Sequence, residues 1–138
     1  MKKILIDTNS LISFITDRNE EQQKIISEFI NNAAEHNINI ILLDIVISEF
    51  VYVLEAVYNF KNKMISQMLK DIQKTTGFII QPYFDFDRVI DIWPDRVNDY
   101  WDSILASYAF AKKLPVLTFD KKLQNQLKKM KVQVIPAL

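Results

Sequence analysis

Two aspartates stand at matching places far apart in the chain. Asp7 ends the apolar run of "KKILIDTNSLI", Asp120 ends that of "KKLPVLTFDKKLQ", and each opens a stretch patterned as a helix. Glu49, in "DIVISEFVYVLEAVY", borders the apolar face that Val46, Phe50, Val53 and Val57 form on a helical wheel, whereas Glu55 points away from it. Asp102, in "NDYWDSILASYAFAKK", shares a helix face with Ala106 and Ala109, small residues that let another element approach closely. Asp99 lies one turn earlier on nearly the same side. An ionised carboxylate at the edge of a core costs several kcal/mol unless a partner compensates.

Each acid taken alone has a plainer reading. Asp7 and Asp120 suit helix caps, Glu49 a lysine partner, Asp99 a helix-start charge, and Asp102 a bond to neighbouring backbone. Taken together they lack cations in their own segments, because the lysines gather after Lys112. Clustered carboxylates repel unless neutralised, and all-oxygen donors suit Mg²⁺, with Mn²⁺ able to substitute. Zinc is not expected, since there is no cysteine and the sole histidine, His36, falls at a helix end. No nucleotide cofactor is expected.

The elements that must position these acids alternate from end to end. The predicted strands are 3–6, 38–43, 78–81, 115–119 and 132–135. The predicted helices are 8–15, 20–34, 44–59 with Asp44 as its cap, 62–76 ending at Gly77, a short one at 85–93 broken by Pro94, 99–113 and 121–130. Continuous apolar strands such as Lys3-Ile4-Leu5-Ile6 suit a parallel sheet covered on both faces. The expected fold is a three-layer α/β/α sandwich around a mainly parallel sheet of four to five strands, as one domain over residues 1–138. Ligands of such sheets bind outside the carboxyl ends of the strands, where Asp7 and Asp120 fall.

Charge balances at 17 basic and 17 acidic residues, but unevenly. Residues 1–60 carry 4 basic and 9 acidic side chains, and the last 27 residues hold seven lysines and one acid. That tail reads either as a solvated helix face or as a patch attracting phosphate. The absence of cysteine is compatible with the cytoplasm. "MKKILID" turns acidic too early for a secretion signal, and no apolar run reaches about 18 residues, so no membrane association is expected.

The sequence resembles PIN domains, specifically the small VapC-type toxin ribonucleases of bacterial toxin–antitoxin pairs. The resemblance rests on Asp7-Thr8-Asn9-Ser10-Leu11-Ile12 after an apolar strand, "SEFVYVL" supplying Glu49, "DSILASYA" supplying Asp102, and "LTFD" supplying Thr118 and Asp120. Asp99 matches an acid that many members carry three residues before the third. The resemblance implies a Mg²⁺-dependent endoribonuclease acting on RNA. Asp7 would be the central ligand, with Glu49 and Asp102 completing the shell and Asp120 and Asp99 holding outer waters or a second ion. Asn9 and Thr118 would orient carboxylates, and Lys121 and Lys122 would meet RNA phosphates. The stretch "FDFDRVIDIWPDRVNDYW" departs from the pattern in being acidic and aromatic, and Asp44 has no place in it.

Other classes fit less well. A haloacid-dehalogenase-type phosphatase needs a second aspartate where Asn9 stands, and a receiver domain needs an acidic pair and a phosphoacceptor that are missing. A free-standing PIN nuclease and an inactive PIN-fold interaction module stay open as alternatives to a toxin. A homodimer and a small antitoxin partner are expected. Phe29, Ile30, Tyr52, Tyr58, Phe60, Met64 and Met68 offer more apolar surface than one small sheet covers.

Overall fold

The computed structural model describes residues 2–136. Five strands, β1 (Lys2–Ile6), β2 (Ile38–Leu43), β3 (Phe78–Gln81), β4 (Val116–Leu117) and β5 (Val134–Ile135), form one parallel sheet in the order β3-β2-β1-β4-β5. The helices are α1 (Thr8–Ile15), α2 (Glu20–Ala34), α3 (Asp44–Ala56), α4 (Asn62–Lys74), α5 (Phe86–Ile92), α6 (Tyr100–Lys112) and α7 (Lys121–Lys129). Successive strand side chains alternate faces, and both sets are apolar. Leu5, Ile41 and Leu43 enter one core with Leu105, Tyr108, Leu123 and Leu127 of α6 and α7. Ile4, Ile6, Ile40 and Leu42 enter the other with Leu11, Ile26, Phe50, Leu54, Ile65 and Ile72 of α1 to α4. The three-layer sandwich is the fold expected.

Chain direction across the sheet reverses at β1. The chain moves outward through β2 and β3, then returns to β4 on the other edge of β1. The carboxyl ends of β1 and β4 therefore flank the topological switch point, where neighbouring connections part and leave a crevice. Asp7 and Asp120 follow those two strands.

Several boundaries differ from the sequence reading. β4 and β5 are two residues each, shorter than the runs 115–119 and 132–135, because each pairs over only two positions. The third helix stops at Ala56 rather than Asn59. Asn59 takes a left-handed φ of 56°, and Phe60 N–H turns back to the Leu54 carbonyl at 2.9 Å. Asp44 is not a cap: Leu43 holds that position, and Asp44 is the first helical residue. Its Oδ1 accepts from Ile45 N–H and Tyr83 N–H, both at 3.1 Å, tying the exit of β3 to α3. The apolar surplus also resolves largely inward. Ile30 is buried, and Phe29, Tyr58, Phe60 and Met68 are half-buried against the second core, leaving Tyr52 and Met64 exposed. Among the described residues no helix is long and apolar enough to cross a membrane.

Gly77 follows α4 with φ +91°, and a Cβ there would meet the Ala33 Cβ and carbonyl oxygen at 2.6 Å. Backbone cannot yield as a flexible side chain would. Gly77→Ala is expected to cost about 1–3 kcal/mol, read as a lower denaturant midpoint.

Candidate functional site

Asp7 is set by the strand that precedes it and the helix it starts. Its Oδ1 accepts from Ser10 N–H at 3.0 Å, capping α1, and from the Ser10 hydroxyl at 2.6 Å. Its Oδ2 accepts from the Thr118 hydroxyl at 2.6 Å. The Thr118 oxygen in turn accepts from Asp120 N–H at 3.1 Å, and Gln124 Nε2 donates to the Thr118 carbonyl at 2.6 Å. Asp120 caps α7 through Lys122 N–H at 2.9 Å and Leu123 N–H at 3.2 Å. One continuous chain of bonds thus joins the ends of β1 and β4.

The other acids arrive on helices. Glu49 projects from α3 and accepts from the Thr8 hydroxyl. Asp99 caps α6, its Oδ1 accepting from Asp102 N–H at 2.9 Å. Asp102 lies in the first turn of α6, which packs on α3. Burial pushes the Asp102 carboxyl up to about 8, and Asp99, Asp7, Glu49 and Asp120 add to the rise through their charges. Burial also raises Asp7, against the hydrogen bonds from Ser10 and Thr118, with a further push from Asp120. Glu49 is raised by burial, held down by Thr8, and raised again by Asp99 and Asp7. Asp7, Glu49 and Asp102 are each pushed up by other acids of the group as well as by burial.

Among the described residues the only ion pair joins Arg88 to Asp85 at 3.3 Å, outside the group. Donors that are all carboxylate oxygen, with no ion-pair partner among the described residues, fit a hard divalent ion. Their present spacing is wider than one coordination shell, since no three acidic or histidine side chains among the described residues converge enough to hold an ion.

Asn9 is exposed, and its side chain bonds to none of the acids; its carbonyl accepts from Arg18 at 2.8 Å. Ser10 and Thr8 do the orienting instead, and sequence reasoning passed over both. The only hint was their position in "DTNS", two small hydroxyls flanking a polar residue in a helix start. Lys121 and Lys122 are exposed on the first turn of α7.

Thr118→Val keeps the shape and removes the hydroxyl. It leaves the buried Asp7 Oδ2 and Asp120 N–H short of a partner, so an expected loss of about 1–3 kcal/mol in urea unfolding follows.

Fold and site together define an α/β protein with two of its acids, Asp7 and Asp120, at its topological switch point. The chain belongs to the PIN domain family, whose model matches residues 4–129. No curated protein sequence matches it. Among solved structures it is similar to PAE2754 from Pyrobaculum aerophilum, at 19% identity and TM-score 0.64 over 96% of this chain and 91% of that one. It is also similar to FitAcB from Neisseria gonorrhoeae, at 16% identity and TM-score 0.63 over 95% of each chain. VapBC2 from Rickettsia felis, bound to a DNA fragment from their promoter, matches at 16% identity and TM-score 0.64 over 96% of each chain.

Proposed function

We propose that the protein is a divalent-metal-dependent endoribonuclease, the toxin of a toxin–antitoxin pair, working in the cytoplasm. One observation carries the chemistry. Asp7 and Asp120 flank the switch point through Thr118, Glu49 is tied to the first helix by Thr8, and Asp99 and Asp102 start α6, with no ion pair to any of the five among the described residues. Family membership and the folds of VapBC2 and FitAcB support the biological setting.

Asp7, Glu49, Asp102 and Asp120, with Asp99 beside them, would hold Mg²⁺ or Mn²⁺. When bound, such an ion lowers the pKa of a coordinated water and offsets negative charge on the phosphoryl oxygens. The chain's own residues supply the rest. Ser10 and Thr118 fix both oxygens of Asp7, so the carboxylate does not reorient as charge changes beside it. Thr8 holds one oxygen of Glu49. Asp99 holds the start of α6 and so the height of Asp102. Lys121 and Lys122, exposed in the first turn of α7, would meet the phosphates of an RNA strand entering past Asp120. No side-chain nucleophile is needed, because water performs the attack. The test is cleavage of single-stranded RNA by the purified chain with Mg²⁺ or Mn²⁺. EDTA should abolish it, and undiminished cleavage in EDTA would overturn the reading.

A small antitoxin reaching the crevice with an arginine would neutralise the carboxylates by charge-assisted bonds. A homodimer is expected as well. A groove of ≈ 570 Å³ lined by Ile47, Val51, Ile65, Leu69, Ile72 and the exposed Ile80 offers apolar surface for it. Light scattering on the isolated chain measures the dimer, and co-purification with the product of the adjoining gene measures the antitoxin.

A further inference from the structure

The aromatic side chains of the segment before Asp102 are left unused by the chemistry above. Tyr52 stands one turn after Glu49 on α3, and Trp101 immediately precedes Asp102 on α6. Their rings meet edge to face at 5.9 Å, bridging the two helices that carry those acids. Tyr100, next to Asp99, meets Trp93 edge to face at 5.2 Å. The Trp93 indole is fixed by its Nε1–H, which donates to the Asn98 carbonyl at 3.1 Å. Tyr52, Trp93 and Tyr100 are 57%, 40% and 40% exposed, and Trp101 is half-buried. Large rings paired with one another, three of them facing water, have not been spent on the core.

We propose that Tyr52, Trp101, Tyr100 and Trp93 form a stacking platform for unpaired nucleobases beside the scissile phosphodiester, selecting single-stranded over duplex RNA. The inference rests on the nuclease reading and adds its substrate-selecting residues. The place of the rings argues for this occupant. Each pair adjoins an acid of the cluster, and in a single strand a base lies within about one nucleotide's reach of its own phosphate. Charge argues the same way. A lysine or arginine set here to grip the RNA backbone would pair with the carboxylates and cancel them. A neutral ring grips the base and leaves the acids free. Every base has a π-face, so the grip is tolerant of sequence but requires an unstacked strand.

Trp93 and Trp101 are the only two tryptophans in the chain, so emission excited at the red edge of the tryptophan band, where the five tyrosines do not absorb, reports on this platform alone. The full chain in EDTA, where RNA stays intact, is titrated with a single-stranded RNA oligonucleotide, its duplex, and the same strand with abasic sites. The single strand should quench emission and bind about tenfold or more tighter than the duplex or abasic strand. Tyr52→Leu should weaken single-strand binding by about tenfold, and Tyr52→Phe, which keeps the ring, should restore it. With Mg²⁺ present, Tyr52→Leu should raise KM and leave kcat nearly unchanged. Equal binding of the abasic strand, or wild-type affinity in Tyr52→Leu, would overturn the platform. Emission that shifts on dilution without RNA would also overturn it, by placing the rings in a protein interface. Base-dependent quenching without cleavage in any metal would sink the nuclease reading and keep the platform. Cleavage indifferent to bases would do the reverse.

Discussion

Asp7→Asn is expected to lower RNA cleavage by at least about a hundredfold with little change in the fold. Residues that merely orient a metal ligand cost about 10–100-fold when removed, and Asp7 is proposed as the ligand itself. The amide keeps the size of the carboxylate, and its oxygen can still accept a hydroxyl hydrogen from Ser10 or Thr118. What it loses is the negative charge, and with it the attraction for a divalent ion. The measurement is kcat in saturating Mn²⁺ beside a denaturant melt of the same preparation. Near-normal cleavage by a folded Asp7→Asn protein would remove Asp7 from the centre of the site.

The second large effect concerns stability and runs opposite in sign to activity. Asp102→Asn is expected to stabilise the metal-free protein at pH 8 while impairing cleavage. The folded Asp102 carboxyl is raised from an ordinary 3.8 to about 8 by burial and four neighbouring acids. Between those values the folded state keeps a proton that the unfolded chain has released. Stability from this group is therefore complete below about pH 4 and declines as pH rises towards 8. Wild-type protein in EDTA should lose about 2 kcal/mol or more across that window, a fall in Tm of several degrees. Asp102→Asn should lack this share of the slope. Adding Mg²⁺ or Mn²⁺ to wild type at pH 8 should recover stability, because an ion bound only to the folded state stabilises it by mass action. A wild-type Tm that is flat with pH and unmoved by metal would count against the cluster's shared charge.

The sheet was easy to read in the sequence and the site only in outline. Ile4-Leu5-Ile6 and Ile40-Ile41-Leu42-Leu43 are apolar on both alternations, which only a doubly covered strand requires. Asn59 was harder, because its left-handed conformation ends α3 without a glycine or proline to announce it. The lengths of β4 and β5 depend on which backbone they pair with, which is not a local property. Thr118 and Asp7 are 111 positions apart, and nothing near either one specifies their bond. Thr118 came to notice only through the likeness of "LTFD" to a family pattern. Ser10 stands inside the matching run that opens at Asp7, but its hydroxyl reaches Asp7 only once α1 is formed, and the orienting role falls by residue type on Asn9 beside it. Asp44 reads as a cap from its place after an apolar run, but its carboxylate reaches Tyr83 N–H, 39 positions away, and the cap falls one residue earlier.

The central place of the first strand bears on the chain's birth. As a ribosome feeds the polypeptide out from its N-terminus, β1 finds β2 early, but its other edge waits for Val116 and Leu117. Until then a nascent chain presents the open border of its innermost strand, a template for wrong pairing. In the same interval Asp7 lacks both Thr118 and the neighbouring Asp120. Such a chain cannot complete its group of acids until Thr118 and Asp120 have been made. The group's last members follow only after the segments that carry Asp7, Glu49 and Asp102 have left the ribosome.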